Sequence, residues 1–284
     1  MHVKKGWQST APIARRVVLA LAGLGLCAVA LAQPREGVQV GQPSVFANMI
    51  PAARLERDAA LQYQQTLAQA EQNRALGHAD HPQVLRLRAI AQRIIPFTEA
   101  WNPRAARWNW EVNLIGSQQI NAYCMPGGKI VFYTGLLGTL RLNDDEVAMV
   151  MGHEIAHALR EHARERMAKS AATNGLARIG GALASVWLGV DPHLTDAVAR
   201  SGAHLATLEF SREDESEADL VGMELAARAG FDPRAGVSLW KKMSAANKGA
   251  PPQWLSTHPS GQTRIADIEA NLPKVMPLYQ RAKR

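Results

Sequence analysis

His153-Glu154-Ile155-Ala156-His157 is the run in this 284-residue chain that most plainly carries chemistry. On a helix, two histidines four positions apart lie about 40° apart in rotation and about 6 Å apart along the axis. Both imidazoles then reach one Zn²⁺ ion. Glu154, beside them, is placed to take a proton from water polarised by that metal. Two unrelated histidines on a solvated helix would give the same letters. The rest of the sequence argues against that, because it supplies the remainder of a metal site.

A catalytic zinc needs three protein ligands and an open position. In an HExxHxxGxxH pattern a third histidine would follow on the same segment. Here Glu161-His162-Ala163 occupies that stretch and no Gly turn is present. On a continuous helix His162 is rotated about 140° from His157, so it is expected on the surface or in a second layer. The better source is the acidic run Ser211 to Asp219. Glu215 and Asp219 are four apart and share a face. One can ligate zinc, and the other can accept the ring N–H of a ligating histidine and fix its tautomer. Glu217, about 200° around the helix from Glu215, is expected to point away.

Two helices must hold these groups. Asn143 is a good N-cap and Glu146 completes a capping-box pattern, while Asp144 and Asp145 suit the helix dipole. Val147, Val150, Met151, Ile155 and Leu159 recur at spacings of three and four, so the spacing predicts one helix over about 143–169 with a single core-facing stripe. The second helix opens at the acidic run, with Leu220, Met223, Leu225 and Ala226 on its apolar side and Gly230 as its stop. Strand signals precede both. Trp108, Trp110, Val112 and Leu114 alternate with Asn109, Glu111 and Asn113, and Pro126-Gly127-Gly128 divides a hairpin of 118–125 and 129–134. A small antiparallel sheet beside the zinc helix is expected to leave one edge open, where an extended peptide can add by main-chain hydrogen bonds.

Five blocks in order resemble the forty-eighth metallopeptidase family, the gluzincins that include the CAAX prenyl proteases and the HtpX and BepA types. They are Asn121 to Gly128, Tyr133 to Leu137, His153 to His157, Glu215 to Asp219, and Ser256-Thr257-His258-Pro259 with Arg264 beyond. The resemblance covers roughly 85–270. It implies a mainly helical α+β zincin-like fold and one Zn²⁺ per chain, held by His153, His157 and Glu215. Glu154 would be the general base and Asp219 the outer acid. Asn121 and Ala122 would hold the substrate backbone. His258 would be either an oxyanion donor or a gate over the metal, with Arg264 steadying its loop.

Lys4, Lys5, Arg15 and Arg16 precede an apolar run from Val17 to Ala32 that ends in Ala30-Leu31-Ala32, the pattern of a secretory signal peptide cleaved after Ala32. The run is short for a membrane span of about 20 residues. Leu26 before Cys27 is too large for a lipoprotein site. The expected location is therefore the periplasm. Losing the leader removes four bases and no acid, lowering the formal charge from +7 to +3, so nucleic acid is not an expected partner. Of the two cysteines only Cys124 would remain, as a small apolar filler and not a nucleophile.

The expected organisation is a signal peptide (1–32), a lead-in and helix (33–80), a zinc metallopeptidase domain (81–275) and a tail (276–284). Ala52 to Leu76 is expected as a helix, and His81-Pro82 opens another that breaks near Pro96. The connection from Ala171 to Leu208, rich in Ala, Gly and Leu, is expected to be a packed helical hairpin, with a flap over the cleft and a membrane-touching patch as alternatives. The expected activity is zinc-dependent endopeptidase, acting on protein or peptide substrates such as misfolded envelope proteins. The alternatives are an aminopeptidase, which would need acidic groups for a free amine, and a catalytically restrained holdase or assembly factor. Peripheral membrane contact is left open.

Overall fold

Every residue of α4 (Asp144–Leu159) from Glu146 onward is buried, so the helix that carries the HExxH run is packed on all sides. The structure is a computed structural model that describes residues 35–173, 210–246, 253–258 and 262–284. The expected leader and nearly all of the 171–208 connection lie outside the described residues. The chain divides into a short unit, Met1–Glu36, and a large one, Gly37–Arg284, which holds all the elements named below. Before α4 come α1 (Ala52–Gln72), α2 (Pro82–Ile94), β1 (Glu111–Ile115), β2 (Ala122–Met125), β3 (Lys129–Tyr133) and α3 (Thr134–Leu140). After it come α5 (His162–Thr173), α6 (Arg212–Arg228), α7 (Ala235–Ala246), α8 (Gln253–Thr257) and α9 (Gln262–Ala282). The architecture is the mainly helical α+β arrangement expected. No helix among the described residues is long and apolar enough to cross a membrane.

The sheet is mixed, not wholly antiparallel. Its order is β1-β3-β2. β2 and β3 form the expected hairpin, turned by Gly127 and Gly128 at φ of 85° and 78°, where a side chain would be strained. β1 runs parallel to β3, from Glu111 opposite Lys129 to Ile115 opposite Tyr133. The chain leaves β1, crosses β3, and returns on its far side as β2, which therefore forms the edge nearest α4. Trp108 and Trp110 stop short of the ladder because they are used elsewhere. Their rings pack at 5.3 Å, and their indole N–H groups donate to Glu56 and to the Ala105 carbonyl.

α4 starts as its sequence dictates. Asn143 Oδ1 accepts from the Glu146 N–H, and Glu146 Oε2 accepts from the Asn143 N–H. Its end differs from the expected single helix. Glu161 adopts a left-handed φ of 59°, which breaks the segment into α4 and α5. α6 begins with a second capping box, Ser211 with Asp214. It crosses α4 at a pair of glycines: a Cβ on Gly222 would lie 2.5 Å from the His153 backbone nitrogen, and one on Gly152 would lie 2.6 Å from the Gly222 carbonyl oxygen. Only with hydrogen in both places can the backbones come this close, and that approach brings Glu215 over the two histidines.

Candidate active site

His153, His157, Glu215 and His258 are all buried, and one nitrogen or oxygen atom from each lies within 4.8 Å of the others. His153 Nε2 is 3.1 Å from His157 Nε2 and 3.6 Å from Glu215 Oε2, and His157 Nε2 is 3.3 Å from Glu215 Oε1. His258 Nδ1 completes the group, 3.2 Å from His153 Nε2 and 2.9 Å from Glu215 Oε1. Ligands about 2.0–2.1 Å from a tetrahedral zinc are separated from one another by about 3.3 Å. The observed separations match, and the nitrogen–oxygen donor set suits zinc. Lone pairs converging in a buried space also call for a cation between them.

Each ligand atom is aimed by a partner on the far side of its group. His153 Nδ1 lies 3.0 Å from Asp219 Oδ1, which fixes Nε2 toward the group. Arg264 is buried against the Trp240 ring, 3.8 Å from its centroid, and donates to both Asp219 and Glu215. One guanidinium thus ties the outer acid and the carboxylate ligand to α9. Glu217 does not join the group, as expected, but it is not idle: it accepts from His162, whose other nitrogen touches His157. His162 is buried, returned to the site by the left-handed turn at Glu161 that the sequence did not reveal.

The charges follow from burial and these partners. Burial works to raise Glu215, but the charge of His258 and the hydrogen bonds of His157 and His258 outweigh it and hold the carboxyl well below its usual range. Burial also works to raise Asp219, and Arg264 and His153 reverse it. For His157 burial dominates, and its pKa falls well below the ordinary value, favouring the neutral ring that a metal ligand must be. Burial pushes the Cys124 thiol up, which suits a filler and not a nucleophile.

Glu154 is buried beside the group and accepts a hydrogen bond from Trp254 Nε1 at 2.6 Å. Trp254 was not legible as a site residue. It sits one helical turn before His258, and its ring stacks on that imidazole at 4.8 Å. Phe210, also unforeseen, stacks on His157 at 4.0 Å, and its N–H donates to the Thr257 carbonyl. At the sheet edge, the Asn121 carbonyl accepts from Tyr133 N–H inside the hairpin. By antiparallel alternation, Ala122 turns its main-chain groups outward. Its N–H is covered by Asn121 Oδ1, and the neighbouring Ile120 carbonyl accepts from Trp254 N–H.

The chain is 38% identical over 162 residues to the mitochondrial metalloendopeptidase OMA1 of Arabidopsis thaliana, covering 55% of this chain and 30% of that protein. It is 33% identical over 196 residues to the OMA1 of Schizosaccharomyces pombe, also named mitochondrial, covering 68% and 54%. To the beta-barrel assembly-enhancing protease of Escherichia coli it is 30% identical over 171 residues, covering 58% and 35%. The chain thus spans between about a third and a half of the length of these relatives. They overturn the periplasmic location expected from the leader, since the relatives of higher identity are named mitochondrial. That expectation rested only on a local pattern of basic and apolar residues, in a stretch that lies outside the described residues. The model of peptidase family M48 matches residues 82–272, more than half of the chain, and the chain belongs to that family.

Proposed function

We propose that this protein is a zinc-dependent metalloendopeptidase that cleaves peptide bonds within protein substrates. The observation that carries the reading is the buried group of His153, His157 and Glu215 with the Glu154 carboxylate beside it. Zinc held by those three residues would polarise the scissile carbonyl and acidify water. Glu154 takes the proton from the attacking water and delivers it to the leaving amine. Asp219 and Arg264 hold the ligands in position, and the outward edge of β2 at Ala122 aligns the substrate main chain. Pairing through the main chain asks only for an extended segment, so unfolded or misfolded proteins are the proposed substrate class.

His258 is proposed as a gate. Its Nδ1 stands among the ligand atoms, while its Nε2 lies 3.6 Å from Glu154 Oε1, so one imidazole occupies the space between metal group and base. An oxyanion donor would instead leave that space to substrate. The same closed arrangement favours the second reading, a restrained zinc-binding assembly factor. Cleavage of N-terminally blocked protein substrates separates the readings. A metalloendopeptidase loses that cleavage to a zinc chelator and regains it with zinc, whereas an aminopeptidase or a holdase shows no such cleavage at any zinc concentration.

A further inference from the structure

We infer that His162 and Glu217 are positioning residues for His157, a second outer support built independently of the Asp219–Arg264 pair; the inference rests on His157 being a zinc ligand. His157 turns Nε2 toward His153 and Glu215, so its Nδ1 faces the opposite way. There it meets His162 Nδ1 at 2.9 Å. His162 Nε2 lies 2.9 Å from Glu217 Oε2. Arg160 Nη2 lies 2.6 Å from the other carboxylate oxygen, an ion pair poorly aligned for a hydrogen bond. Four residues from α4, its C-terminal turn, α5 and α6 thus form one string that ends on a ligand.

The protonation of the string follows from its ends. A neutral imidazole has one N–H and one lone pair. If His157 Nε2 gives its lone pair to a cation, its proton sits on Nδ1 and must be donated to His162 Nδ1. His162 then carries its own proton on Nε2, which is donated to Glu217. A carboxylate is an acceptor only, so it terminates the string in the one direction that leaves His157 Nε2 bare. Glu217 therefore does for His157, through a relay, what Asp219 does directly for His153.

Local structure makes the relay possible. On a continuous helix His162 would be carried about 140° away from His157. The left-handed Glu161, at φ 59°, restarts the helix in a new direction and returns the ring. His162 is only 2% exposed, so its ring nitrogens have no bulk water to satisfy them in place of His157 and Glu217.

The test uses the full chain, stripped of metal and reloaded. Zinc affinity is read by competition with a chromophoric chelator, and the ligand field by the visible absorption of the Co²⁺-loaded protein. His162→Phe keeps the bulk and removes the acceptor. It is expected to weaken zinc binding by about 10–100-fold and to shift the Co²⁺ spectrum. His162→Asn places an amide oxygen close to the former Nδ1 and is expected to stay within about threefold of the unaltered protein, because it restores the acceptor. Glu217→Leu is expected to weaken binding by at least about tenfold, and it decides the matter if His162→Phe does not fold. Unaltered affinity and spectrum in His162→Phe or Glu217→Leu would overturn the inference. So would equal weakening by Asn and Phe, which would make packing the cause. His157→Ala keeps the two failures apart: undiminished zinc binding there would remove the ligand assignment itself.

Discussion

Trp254 donates its indole N–H to the Glu154 carboxylate at 2.6 Å across 100 residues of sequence. The same residue's backbone N–H is bonded to the Ile120 carbonyl, and its ring stacks on His258. One short helix, α8, therefore lies over the base, the metal group and the outward edge of the sheet. A substrate that used all three would have to displace it.

If α8 is a gate, loosening it speeds the reaction. Trp254→Phe keeps an aromatic ring and removes the N–H. A hydrogen bond to a charged group contributes about 1.5–3 kcal/mol, so hydrolysis is expected to rise by roughly tenfold. His258→Ala is expected to raise it as well. Were His258 an oxyanion donor, its loss would lower kcat by about 10²-fold or more. Initial rates on a blocked peptide, with zinc content measured for each variant, separate the two roles.

The carboxylates on α6 have distinct duties. Glu215→Ala is expected to purify without stoichiometric zinc. Asp219→Ala should keep the three ligands and bind zinc about 10–100-fold more weakly, because only the aim of His153 is lost. Elemental analysis and chelator competition check both. Full zinc in Glu215→Ala would show that the carboxylate ligand was misassigned.

The glycine crossing that joins α4 to α6 is expected to tolerate no side chain. Both helices are buried at the crossing and the atom in the way is backbone, so a methyl group at Gly222 must push the helices apart. Gly222→Ala should destabilise the fold by about 1–3 kcal/mol, the usual cost of overpacking, and should weaken zinc binding with it. Gly138, which a methyl group would leave without a contact, is the control. Chemical denaturation of both variants tests this, and equal stability would contradict the account.

Glu146 sets an acid limit on the same helix. Burial works to raise it, but Lys242, the Asn143 N–H and Ser238 reverse the effect and hold its pKa below the ordinary 4.5. A depressed pKa in the folded state means that the contribution is complete above 4.5 and is lost as the pH falls through the folded value. Glu146→Gln should therefore cost about 1–2 kcal/mol near neutral pH, with the gap closing in acid. Denaturation of the metal-free proteins between about pH 7 and pH 3 measures this without zinc's own pH dependence. A gap that widens in acid would refute it.

Local chemistry was legible in the sequence, and long-range pairing was not. The cap at Asn143, the opening of a helix at the acidic run and the turn at Gly127-Gly128 each depend on residues a few positions apart, and all formed as expected. Glu215 and the two HExxH histidines share their group because spacing on two helices fixes which faces they occupy. The break at Glu161 was hidden because a non-glycine residue takes a left-handed conformation only where its surroundings hold it there; Arg164 donates to its side chain. Trp254 and Phe210 could not be recognised because each has its partner in a distant segment. The parallel pairing of β1 was likewise set by the path between strands, on which alternation of side chains is silent.

The most direct test of the account is the hydrolysis of an N-terminally blocked peptide by Glu154→Gln, with zinc counted in the same preparation. Gln keeps the shape and can still accept from Trp254, but it cannot take up the proton. The account predicts about one zinc per chain, as in the unaltered protein, and loss of hydrolysis by at least about 10²-fold. Hydrolysis at a tenth or more of the unaltered rate, with zinc retained, would contradict it.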